Sequence, residues 1–230
     1  MQLNIFTDAS ITKTIYGETI GCSGAICSEN KNLAKYEISR DSTNNISEIT
    51  AIKLGVELAL ENRDKFDIVN IWSDSQWSVF GLTKWIRSWY NNYSNYTLYN
   101  SSGEEVKNQQ IFLEIIKLII DNNLRINFYH IKGHVDPKSI KSVNHAVAVF
   151  YRSNDMRISR DKIYNAVIMN NLIDNETRSI LSSWRDVSPV SLVRGIIVPI
   201  ISNEDMIRYY NLVTLGGNKI WKKKTNAFVQ

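Results

Sequence analysis

Apolar and polar residues alternate along Leu3-Asn4-Ile5-Phe6-Thr7, the period of a half-buried strand, and the run closes on Asp8. Gly21–Cys27 and Leu33–Ile38 predict two further strands joined by a polar turn. Ser42-Thr43-Asn44-Asn45 then offers capping side chains, and helical spacing takes over from Glu48 to Leu60. There Ile52, Val56 and Ala59 share one face, and Ala51, Leu54 and Leu58 an adjoining one. Asp67–Ser73 predicts a fourth strand that delivers Asp74 at its end. Helices follow over Gln76 to about Tyr90 and about Lys107 to Ile120, separated by the polar, Tyr-rich connection Asn91–Gly103. Arg125–Ile131 predicts a fifth strand, and Asn144–Arg152 opens another helix. Three strands followed by alternating helix and strand argue for an α/β fold, a mixed five-stranded sheet flanked by helices.

Beyond Arg152 helical periodicity runs to about Leu172 and again over Glu176–Arg185, followed by an apolar, strand-like Gly195–Ile201 and a basic end. No repeat and no linker rich in Gly, Pro or Ser intervenes. The expectation is a domain over residues 1–152 with an α-rich extension over 153–230 packed on it.

Composition narrows the class. A chain of 230 residues that is 43% hydrophobic carries enough apolar mass to offset chain entropy, which excludes collagen-like and wholly disordered classes. No apolar run approaches the ~20 residues of a bilayer span, and the start lacks a basic region followed by a long apolar one. Cys22 and Cys27 are too few for a disulfide framework. The reading is a soluble protein of a reducing compartment, cytoplasmic by default. The net charge of +4 is uneven: residues 1–150 hold 15 basic and 16 acidic side chains, whereas 151–230 hold 12 and 7. That asymmetry directs attention to Arg157, Arg160, Lys162, Lys219 and Lys222–Lys224, with Trp221 beside the last three, as an extra nucleic-acid contact or a protein-partner surface.

Three acids hold special positions. Asp8 and Asp74 each close a predicted strand, and Glu48 stands at the start of a predicted helix. Adjacent central strands would set the two aspartates side by side, with the helix holding Glu48 over them. Carboxylates crowded in this way repel unless a cation neutralises them, and Mg²⁺ is suited because it takes one or two carboxylates and keeps waters or phosphate oxygens as its other ligands. Two such ions about 4 Å apart stabilise both the attacking and the leaving oxygen in phosphodiester cleavage.

Around these acids the sequence resembles type 1 ribonuclease H of the cellular kind over roughly residues 3–150. The likeness rests on Thr7-Asp8-Ala9-Ser10, Thr43-Asn44-Asn45-x-x-Glu48, Ser73-Asp74-Ser75-Gln76, Trp85-Ile86-Arg87-Ser88-Trp89 with Val106-Lys107-Asn108, and Ile131-Lys132-Gly133-His134, in order and at compatible spacing. The resemblance implies a ribonuclease H-like sheet and a hydrolase that cuts the RNA strand of RNA–DNA hybrids with two Mg²⁺ ions, Mn²⁺ substituting. It implies that Asp8, Glu48 and Asp74 are metal ligands and that His134 assists near the scissile phosphate. Thr43 and Asn108 would contact a DNA-strand phosphate, and Asn44, Asn45 and Gln76 would lie in the hybrid's minor groove. Amide side chains suit that groove, since they exchange hydrogen bonds with a 2′-hydroxyl and with base edges without demanding a sequence.

Two departures stand out. The family's fourth acid lies ten positions after the loop histidine, where this chain has Asn144; a gapped alignment puts Ala148 there instead. An amide oxygen can still coordinate Mg²⁺ but brings no charge, so Asn144 is read as a weakened catalytic and metal-binding position, with Asp136 in the same loop as a substitute and His145 as a poorer one. The handle segment Tyr90–Tyr99 carries no cation, where the cellular enzymes are often basic; its tyrosines are expected to pack on their own domain. These departures leave two further readings: a hybrid-binding protein with impaired chemistry, and an assembly protein that keeps the fold while residues 153–230 bind a partner.

Overall fold

The computed structural model describes residues 2–154, 156–185 and 201–219. Its centre is a sheet in the order β3-β2-β1-β4-β5-β6-β7. The strands are β1 (Gln2–Lys13), β2 (Thr19–Cys27), β3 (Ala34–Arg40), β4 (Ile68–Ser73), β5 (Ile126–His130), β6 (Val213–Leu215) and β7 (Asn218–Lys219). The first three form an antiparallel meander, β1, β4, β5 and β6 run parallel, and β7 returns antiparallel to β6. The five expected strands are present. The correction lies at the far edge, where the extension adds two more strands to the same sheet.

The helices are α1 (Asn44–Glu61), α2 (Gln76–Phe80), α3 (Ile86–Asn91), α4 (Gln109–Asp121), α5 (Ile140–Asn154), α6 (Arg160–Trp184) and α7 (Asn203–Leu212), with a π-helical turn over Gly81–Trp85 joining α2 to α3. Thr43 caps α1 by accepting a hydrogen bond from the Ile46 amide at 3.3 Å. Where two helical stretches were expected after Arg152, α6 is one continuous helix of 25 residues.

Strand alternation divides the core. Ile5, Ile71 and Phe128 are paired neighbours across β1, β4 and β5 and belong to the apolar cluster shared with α1 and α4. The next residues, Phe6, Trp72 and Tyr129, belong to a second cluster with Phe150 of α5 and Ile163, Ala166 and Ile173 of α6. Within it Trp72 stacks on Tyr129 at 4.2 Å between ring centroids and on Phe6 at 5.7 Å. A strand therefore hands alternate side chains to two different helical layers.

The described part of the extension is built into this body. Helix α6 crosses β1 and β2, and Gly24 of β2 admits the close approach: a Cβ there would lie 2.8 Å from Thr177 Cγ2 and 3.0 Å from Ile173 Cδ1. On the opposite layer, Tyr209 of α7 is fully buried and donates its hydroxyl to the Leu82 carbonyl at 2.9 Å. Two of the handle tyrosines turn inward, where Tyr90 stacks on Tyr93 at 5.3 Å and donates to the Ile201 carbonyl at 3.0 Å, whereas Tyr96 departs from the expectation and stays exposed. Among the described residues no helix is long and apolar enough to cross a membrane. The strand expected over Gly195–Ile201 lies, apart from Ile201, outside the described residues, as do Trp221 and Lys222–Lys224.

Candidate active site

Thr7 of β1 pairs with Ser73 of β4, so the next residue of each strand, Asp8 and Asp74, emerges at the same end of the sheet. The second turn of α1 brings Glu48 to them. One carboxylate oxygen from each of Asp8, Glu48 and Asp74 lies within 4.8 Å of the others. Asp8 is 4% exposed and accepts a hydrogen bond from the Ala9 amide at 2.8 Å. Glu48 Oε2 is buried with no hydrogen-bond partner.

Such crowding is costly to ionise. Burial, and then the charge of Asp74, push the Asp8 carboxyl up to about 8. Burial first, then Asp74 and Asp8, hold Glu48 well above the ordinary carboxylate range. Asp74 is raised by burial, against the opposing effect of a hydrogen bond from Asn170 and of the nearby His134. A divalent cation answers both the repulsion and the orphaned Glu48 oxygen, and an all-oxygen donor set suits Mg²⁺ or Mn²⁺ over softer metals.

The carboxylates line a cleft of about 670 Å³ together with Asn44, Asn45, Gln76 and His134. Asn44 and Asn45 reach it as the first exposed turn of α1, and Gln76 as the start of α2, whose N-cap is Ser75. His134 is an exposed loop residue in the left-handed region, with φ at 52°. Its loop passes tightly over the acids, since a Cβ on Gly133 would lie 2.0 Å from Asp74 Oδ2. Three sequence-predicted residues are not among those lining the cleft. Thr43 is turned into the α1 cap, Asn108 sits left-handed at the start of α4 with no capping bond of its own, and Asn144 is exposed on α5.

The opposite wall was not foreseen. It comes from α6 and its end: Asp174, Arg178, Leu181, Ser182 and Arg185. Asp174 accepts from Arg178 Nε at 2.8 Å and lies 3.7 Å from His134 Nδ1. The basic residues that charge had singled out, Arg160 and Lys162, stand at the other end of α6. One signal was present in the sequence. The apolar stripe Ile163, Ala166, Val167, Ile173, Leu181 is interrupted on its buried side by Asn170 and Thr177, and polar residues in a buried stripe demand partners.

A mixed sheet with helices on both faces, carrying two carboxylates where the β1–β4 pairing ends and a third from α1, defines an α/β protein with an acidic centre suited to a divalent cation. A family model described as RNase H matches residues 1–154. A ribonuclease HI of Haemophilus influenzae is 33% identical over 133 residues, covering 58% of this chain and 79% of that protein. A ribonuclease H of Clostridium botulinum is 28% identical over 135 residues, covering 57% and 83%. A crystal structure of LC11-RNase H1 in complex with RNA/DNA hybrid has 17% identity and a TM-score of 0.42, covering 64% of this chain and 97% of that one. The chain belongs to the ribonuclease H family.

Proposed function

We propose that the protein is an endonuclease that hydrolyses the RNA strand of RNA–DNA hybrids, using two Mg²⁺ ions for which Mn²⁺ substitutes. The observation that carries this reading is the convergence of Asp8, Glu48 and Asp74 within 4.8 Å in a chain of this family. These residues hold the cations, which when bound supply Lewis-acid stabilisation of the charge that develops on the phosphate oxygens. In the reaction, water adds its oxygen to phosphorus and the bond from phosphorus to the ribose 3′-oxygen breaks, leaving a 3′-hydroxyl and a 5′-phosphate.

The chain's own groups recognise and orient. Asn44, Asn45 and Gln76 present amides along the cleft wall, each able to donate to and accept from a 2′-hydroxyl. Thr43, whose oxygen caps α1, and Asn108 contact phosphates of the DNA strand and set the register. His134, exposed beside the acids, carries a proton between solvent and the scissile phosphate.

The test uses the purified full chain and an end-labelled RNA annealed to DNA, with single-stranded RNA and duplex DNA as controls. Mg²⁺-dependent internal cleavage of the hybrid's RNA alone is expected. A folded protein that leaves the hybrid intact with both Mg²⁺ and Mn²⁺ overturns the reading.

A further inference from the structure

The family motif looks for a fourth acid in the helix after the loop histidine, and α5 offers only Asn144, exposed and away from the cleft lining. A carboxylate nevertheless reaches the cleft from elsewhere. Asp174 of α6 lines it, its side chain 15% exposed. It stands outside the group formed by Asp8, Glu48 and Asp74, on the facing side of the same cleft, 3.7 Å from His134 Nδ1.

Two buried oxygens beside these acids have no hydrogen-bond partner. One turn before Asp174, Asn170 is 2% exposed; its Nδ2 donates to Asp74 Oδ2 at 3.3 Å, but its Oδ1 has no partner. Glu48 Oε2 is likewise buried and unpaired. Oxygens of this kind persist when a cation or its waters satisfy them. The placement of α6 is also anchored. Ser10 and Thr177 share a hydrogen bond at 2.9 Å, Tyr36 donates to Glu176, and Asn171 donates to the Val135 carbonyl at 2.8 Å.

We propose that Asp174 is the fourth acidic residue of this centre, a ligand to its divalent cations supplied by α6, while Asn144 takes no part. The cleft then draws one essential group from beyond residue 154, where the family match ends. Only the catalytic consequence rests on the nuclease reading; the metal-binding statement stands apart from it.

The experiment titrates Mn²⁺ into the full chain by calorimetry, without nucleic acid, comparing wild type with Asp174→Asn, Asp174→Glu and Asn144→Asp. Circular dichroism reports folding of each. Asp174→Asn is expected to weaken Mn²⁺ at least tenfold, Asp174→Glu to recover part of that loss, and Asn144→Asp to change affinity less than twofold. A loss under threefold in Asp174→Asn, or a tenfold gain in Asn144→Asp, overturns the assignment. Wild-type protein that fails to cut hybrid while these affinities behave as expected would sink the nuclease reading and leave Asp174 in place.

Discussion

The two walls of the cleft are made differently. One consists of β1, the start of α1, the end of β4 and the Gly133–His134 loop, all within the stretch that matches the family, and its acids sit just past the last β1–β4 pair and in the second turn of α1. The other is the flank of a single long helix whose acid borders the packing stripe, tied to Arg178 and next to His134. The comparison teaches that a chemical centre can be recognised from half of its boundary. The remaining half can be replaced from another part of the chain, provided that part is packed rigidly enough to hold an ionised group in place.

The most severe way to break the first wall is Glu48→Gln. Hybrid cleavage is expected to fall about 10³-fold or more, as for loss of a principal electrostatic group, measured by single-turnover kinetics. Without metal the same change should raise the melting temperature at pH 8. The sign follows from the raised carboxyls. Asp8 ionises near 8 when folded and near its ordinary 3.8 when unfolded, so its stabilisation is complete below about 4 and is lost as pH rises through about 8. Metal-free wild type should therefore melt lower at pH 8 than at pH 5, Glu48→Gln should narrow that gap, and added Mn²⁺ should close it.

A smaller loss separates position from charge. Gly133→Ala keeps every acid in the sequence but displaces the Asp74 carboxylate or the loop over it, since the new methyl would stand 2.0 Å from Asp74 Oδ2. About a 10²-fold fall in cleavage is expected, with folding by circular dichroism retained. The mildest change lies away from both walls. Tyr209→Phe removes the bond to the Leu82 carbonyl and should cost about 1 kcal/mol in urea unfolding, with cleavage unchanged.

Much of the first wall was legible because its signals are local. The alternation from Leu3 to Thr7 and the run Ile68–Ser73 mark strands that Asp8 and Asp74 follow directly, and Thr43 marks a helix start five residues before Glu48. The outer reach of β1, Ala9 to Lys13, was not legible; it pairs with β2 alone, and its one large apolar residue, Ile11, is exposed, so no buried face marks it as strand. Strands β6 and β7 span three and two residues; β6 exists through pairing with β5, a contact made across more than eighty positions of sequence, and β7 only through pairing with β6. Asp174 escaped notice for a related reason. Its meaning depends on Gly24, Ser10 and Tyr36 seating α6, and nothing near residue 174 announces them.

The parallel pairing of Val213–Leu215 with Ile126–Phe128 also bears on how the polypeptide can be cut. A fragment ending at the family boundary would leave β5 with a naked rim of amides and carbonyls and would strip α6 from the Phe6–Trp72–Tyr129 rings, two invitations to sticky self-association. The segment that defines ancestry is thus smaller than the segment that covers its own sheet edge and its own aromatic face.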